Sequence, residues 1–166
     1  MNSRYAYFIV CLVLALLPNV FGCGQVKRPD GMPELYPVTI TVLQNGTPLE
    51  GARVGSFPAD TALAQWGGGG TTDASGKITM HSYGFKGLVA GEHSITVSKE
   101  YFTRPPGMET ADKDEYEFFV DTNFWSASTT PLRIDVKRGS QDFTLEVEPF
   151  NPATYNERRF GKKLKK

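Results

Sequence analysis

The sequence predicts an all-β protein, a sandwich of about seven short strands. Three observations carry that prediction. Apolar residues alternate with polar ones in several short runs, first at Val38, Ile40 and Val42. A period of two puts the apolar side chains on one face of a strand. Turn-forming residues separate the runs, and the 17 glycines and 11 prolines favour turns over helix interiors. No amphipathic helical period is present after residue 25.

The 166 residues suffice for one domain of ordinary size. Forty per cent hydrophobic and 22% charged residues make a globular balance, against wholesale disorder. Lys+Arg and Asp+Glu both number 18, so net charge gives no case for a nucleic-acid partner, and none is expected.

Taken in order, residues 1–22 read as a targeting segment. Arg4 begins a weak positive region, Tyr5 to Leu17 is apolar, and Pro18-Asn19 breaks the run. That run falls short of the roughly 20 residues that span a bilayer as a helix, so it reads as a signal peptide. Val20-Phe21-Gly22-Cys23 resembles the lipobox of bacterial lipoproteins. The resemblance implies cleavage before Cys23, lipid attachment at Cys23, and a membrane anchor in the bacterial cell envelope. Cys11 would leave with the signal peptide, and a lone Cys23 has no disulfide partner. Residues 23–36 carry Pro29, Gly31 and Pro33 without an apolar period, and read as a tether.

Residues 37–150 read as the sandwich domain. Asn45-Gly46 marks a tight hairpin turn after the first strand. Ala52, Val54 and Ser56 then alternate with Arg53, Gly55 and Phe57 as a second strand. Leu63 to Gly70 ends in four glycines, which are costly to order, and reads as a loop. Thr72 to Lys77 is a turn, Ile78 and Met80 lie on a strand, and Tyr83 to Gly87 is a connection. His93, Ile95 and Val97 share one face of a longer strand. Leu132, Ile134 and Val136, then Phe143, Leu145 and Val147, read as a last hairpin around Gly139. Residues 151–166 read as a basic tail, with Arg158, Arg159, Lys162, Lys163, Lys165 and Lys166.

Three segments carry a family resemblance: N-G-T-P-L-E-G-A-R-V (Asn45 to Val54), T-T-D-A-S-G-K-I (Thr71 to Ile78) and L-V-A-G-E-H-S-I-T-V (Leu88 to Val97). Together they resemble the carboxypeptidase regulatory-like domain. The resemblance implies a Greek-key, transthyretin-like sandwich, related in plan to immunoglobulin-like folds. It implies an accessory module and no activity, because the peptidase chemistry of the family name belongs to a separate domain.

No motif assembles a catalytic or cofactor site. His81 and His93 have no zinc-ligand spacing, and Gly-x-Ser-x-Gly is absent. The four glycines lack the Lys-Ser/Thr and the helix of a phosphate cradle. Asp112, Asp114 and Glu115 form an acidic cluster that misses the EF-hand pattern and reads as a solvated loop rather than a calcium site.

The insertion from Glu100 to Thr130, ahead of the last two strands, is long for a structureless connection and rich in aromatics. Glu115 to Val120 should form an extra strand or lie on the sandwich. Tyr101, Phe102, Phe124 and Trp125 are its candidate interaction surface, against the plainer reading that such rings cap the core. The sequence-based expectation is a non-catalytic, lipid-anchored envelope module with no cofactor. Its partners would be the membrane and an envelope protein. The alternative partner is a glycan, with Trp66 and Trp125 as an aromatic platform.

Overall fold

The computed structural model describes residues 27–103 and 115–155. Cys23, Asp112, Asp114 and the basic residues from Arg158 onward lie outside the described residues. So do the side chains of Phe102 and Glu115.

The strands are β1 (Leu35–Tyr36), β2 (Val38–Gln44), β3 (Thr47–Pro48), β4 (Arg53–Pro58), β5 (Gly68–Thr71), β6 (Lys77–Thr79) and β7 (His81–Ser82). They continue with β8 (Phe85–Lys86), β9 (Leu88–Val89), β10 (Gly91–Ser98), β11 (Glu100–Thr103), β12 (Glu115–Phe118), β13 (Arg133–Val136) and β14 (Gln141–Val147). One layer has the order β13-β10-β4-β5-β7-β8. The other has β14-β2-β3, with β6 also paired to β2. The fold is an open all-β sandwich, as the alternation predicts.

The apolar faces meet between the layers. Ile40, Val42, Met80, Ile95, Val97 and Val136 are buried there. Leu132, Phe143 and Leu145 pack against that core from partly exposed positions. Phe143 and Leu145 lie on β14 and Leu132 just precedes β13, the strands at the outer edges of the two layers, where one side lacks a neighbour to cover them.

Several local expectations need correction. Residues 132–136 and 143–147 do not form a hairpin: β13 pairs antiparallel with β10, whereas β14 pairs parallel with β2 in the opposite layer. The turn between them carries the chain across the sandwich. Alternation shows that two runs are strands but not that they pair. The Asn45-Gly46 turn does form, with both residues at positive φ (51° and 73°), yet its hairpin closes only on β3. The run from Ala52 belongs to the other layer as β4. The Asp73-to-Gly76 turn forms as expected and joins β5 and β6, which lie in opposite layers. Asp73 Oδ1 accepts from the Ser75 and Lys77 amides and from the Ser75 hydroxyl. That hydroxyl, then the Lys77 amide, holds the Asp73 pKa below its ordinary value. Tyr83-Gly84 is the tip of a small β7–β8 hairpin, not a plain connection. The first strand begins at Leu35, inside the stretch read as tether, where it pairs with β9.

The largest correction is the glycine run. Gly68, Gly69 and Gly70 are not a loop; they form β5, between β4 and β7. The reason is space. A Cβ on Gly68 would stand 2.6 Å from the His81 carbonyl oxygen, and one on Gly69 2.5 Å from that of Val54. One on Gly70 would stand 2.7 Å from Ile78 Cδ1. The strand can occupy this position only without side chains, which outweighs its high entropic cost.

Candidate functional site

The aromatic insertion is ordered by a two-stranded ribbon and a short 3-10 turn. β11 and β12 pair only with each other in the described residues, with Glu100 opposite Phe118 and Tyr101 opposite Glu117. The Glu115 to Val120 stretch thus supplies an extra strand, as expected. Asp121 caps the 3-10 turn Thr122–Trp125 by accepting from the Asn123 amide. The ribbon sits at one pole of the sandwich. Gln44, the last residue of β2, donates its side-chain amide to the Phe119 carbonyl. Val120 bridges Pro149, just past the end of β14.

Strand alternation sends the rings to two sides. On one side Phe118 is the hub, with Trp125 at 5.0 Å, Phe150 at 5.3 Å and Tyr155 at 5.5 Å between ring centroids. Tyr116 stacks nearly parallel to it at 6.0 Å. Trp125 Nε1–H donates to the Val120 carbonyl, so both faces of its amphipathic character are used. On the other side Tyr101 meets Phe119 edge-on at 5.0 Å, and Lys99 Nζ lies 5.1 Å from the Phe119 ring centre. That distance suits a cation over an aromatic face.

The four candidate surface residues therefore do not make one patch. Phe124 is buried in the sandwich core. Trp125 is half-buried in the Phe118 cluster. Tyr101 is 54% exposed on the opposite side of the ribbon. Phe102 holds a register position opposite Tyr116, and its side chain is outside the description. Core capping accounts for Phe124, whereas Tyr101 and Tyr116 remain exposed. Sequence reasoning did not single out Phe150 and Tyr155, although both follow the last strand closely enough to have been suspected. Trp66 is buried and meets Tyr83 edge-on at 5.4 Å, so it offers no open platform for a sugar face.

His93 is the one buried imidazole among the described residues, and it is fully satisfied. Its Nε2 lies 2.9 Å from the Val89 carbonyl oxygen, which can only accept, so Nε2 carries the proton. Nδ1 then accepts from the Ser56 hydroxyl at 2.7 Å. Burial pushes the His93 pKa below its ordinary value, partly opposed by the Val89 carbonyl. A Ser–His pair is the start of a nucleophile and base. Here both side chains are sealed between the sheets, at 1% and 0% exposure, and no substrate reaches them. Among the described residues no group of three or more His, Cys, Asp or Glu side chains could hold a metal ion.

No protein-family model matches the chain, and no curated protein does. Solved structures match in part. The major pilin subunit BcpA of Bacillus cereus is similar at 14% identity and TM-score 0.42, over 70% of this chain. A 9R-lipoxygenase from Cyanothece is similar at 17% identity and TM-score 0.36, over 86% of this chain. A DUF3823 family protein from Parabacteroides merdae is similar at 12% identity and TM-score 0.32, over 69%. The chain spans 30%, 23% and 45% of those three proteins respectively. Likeness at this level carries no function across, and the sandwich rests on its own strand pairing.

Proposed function

We propose that the chain is an exported, lipid-anchored, non-catalytic module of the bacterial cell envelope, built on one carboxypeptidase regulatory-like domain and acting in structure or in protein interaction. The observation that carries this reading is the apolar run ending at Gly22-Cys23, followed by a Pro- and Gly-punctuated stretch. The three family-like segments support it. In the fold they occupy the β2–β3 turn with its crossing into β4, the β5–β6 crossing, and the approach into β10. These are positions where sheet architecture, not chemistry, constrains the residues. The sealed Ser56–His93 pair fits a structural role for the two polar side chains. A glycan platform made from the tryptophans is less well supported, because Trp66 is buried and Trp125 is engaged.

Intact-mass spectrometry of the membrane fraction tests the anchor. The expected mature species begins at Cys23 and carries a diacyl or triacyl mass increment. A membrane-associated species lacking that increment overturns the reading, as does a soluble mature chain. Two or more acyl chains hold a domain on a bilayer far more firmly than one does.

A further inference from the structure

The turn between β2 and β3 holds a reactive pair. Asn45-Gly46 is the only Asn-Gly step in the sequence. Asparagine is among the thermolabile residues. Its side-chain amide carbon is open to attack by the backbone nitrogen of the next residue, and a glycine there, with no Cβ, leaves the approach clear. Both residues are exposed, so water reaches them.

Two features of the fold oppose that attack. Gln44 pairs with Thr47, and Asn45 and Gly46 lie between them at φ 51° and 73°, a two-residue turn of type I′. Such a turn sets ψ of its first central residue to about +30°. Gly46 N then lies nearly opposite the Asn45 Cβ across the Cα–C bond, whereas closing a five-membered ring needs both on the same side. The attack waits until this peptide unit rotates. The second feature is Glu146 on β14, far away in the chain. The Gly46 amide donates to Glu146 Oε1 at 2.9 Å. Rotation breaks this bond, and hydrogen bonds to a charged acceptor are the stronger ones. The carboxylate also disfavours loss of the amide proton, because it opposes a second negative charge beside it.

We propose that Asn45 is a site of spontaneous deamidation and that Glu146 restrains it. When the turn opens, Gly46 N bonds to Asn45 Cγ and gives up its proton. The Cγ–Nδ2 bond breaks, and the nitrogen leaves with that proton as ammonia. Water then opens the cyclic imide at either carbonyl, leaving aspartate or isoaspartate. Either product sets a new negative charge near Glu146. Isoaspartate also lengthens the backbone of a turn whose twist fits two ordinary residues. The outcome is a slow, irreversible loosening of β3 and of the Leu49 amide bond to the Val42 carbonyl that follows it.

Peptide mapping by mass spectrometry tests this, following the conversion of Asn45 to its acid forms in the full chain, folded and in urea. Conversion should be many-fold slower in the folded parent than in urea. Glu146→Ala should speed it several-fold in the folded state. Glu146→Gln, which keeps an acceptor without the charge, should speed it less, and it decides the matter if the alanine variant fails to fold. Asp142→Asn removes a carboxylate from the far end of the same strand, beside Thr39, and should leave the rate unchanged. Folded conversion as fast as in urea, or none in urea, overturns the proposal. So does conversion that stays equal or slows without the Glu146 carboxylate, which would make Glu146 a bystander or a base. Equal acceleration by Asp142→Asn overturns it in favour of a general loosening of β14.

Discussion

The two ends of the size scale hold this molecule together in different places. In the middle of the six-stranded layer, β5 has no side chains at three successive positions, and its backbone lies against β4, β7 and the side chains of Leu88 and Ile78. At the aromatic pole the ribbon pairs with no sheet strand in the described residues, and rings hold it to the body together with the Val120–Pro149 bridge and the Gln44 side chain on the Phe119 carbonyl. The first region is fixed by the absence of atoms and by backbone pairing. The second is fixed by the largest side chains, each contact worth about 0.5–1.5 kcal/mol beyond its area. Close backbone packing leaves no tolerance for added volume, whereas a ring cluster can lose one member and keep the others.

Four measurements test that contrast. Ile95→Ala, in the core both regions depend on, should cost about 2–5 kcal/mol in denaturant unfolding, as buried aliphatic truncations do. If Ile95→Ala and Val97→Ala both unfold like the parent, the assignment of the core face fails. Gly69→Ala adds a single methyl group and should still cost about 1–3 kcal/mol, because its neighbour is the Val54 carbonyl and not a movable side chain. A neutral result would mean that β4 and β5 can separate at little cost. Trp125→Ala should cost about 1–2 kcal/mol, with faster amide exchange confined to the ribbon and the 3-10 turn. Exchange that quickens equally in β5 would show that the pole and the sandwich open as one unit.

The smallest effect is a pH dependence. His93 is held neutral in the fold, with its pKa depressed from the ordinary 6.5. The unfolded chain therefore binds the proton more readily than the folded chain. His93 should leave stability flat above about pH 7.5. It should lower stability as the pH falls through about 6.5, by at most about 1.4 kcal/mol per pH unit, until the folded-state pKa is passed. The parent minus His93→Gln difference in melting temperature isolates this term. A difference that does not change between pH 8 and pH 5 would mean that His93 titrates alike in both states.

The contrast also separates what was legible in the sequence from what was not. Alternation identified the faces of β2, β4, β10, β13 and β14, because a period of two follows from strand geometry alone. His93 lies inside with Ile95 and Val97, whose face of the strand it shares. The glycine strand was misread because its cause is non-local: the entropic cost is visible in four successive glycines, but the carbonyl of Val54 and the side chain of Leu88 are far away in sequence. The last hairpin was misread for a related reason, as nothing in either strand encodes its layer. At the aromatic pole the extra strand was legible from its composition. The hub was not, because E-Y-E-F-F-V does not say which of Phe118 and Phe119 turns toward Trp125.

The parallel register of β14 beside β2 has a mechanical consequence. The chain approaches β2 at one pole and leaves β14 toward the other, so tension between its two ends pulls these neighbouring strands in opposite directions along their length. Their ladder, in register from Val38 with Gln141 to Gln44 with Val147, is then loaded in shear. Its hydrogen bonds share the force instead of breaking singly, as they do when a hairpin is peeled from its open end. Resistance to pulling is governed by the unfolding barrier rather than by equilibrium stability. A domain of modest stability can in this way serve as a stiff link between two points of attachment.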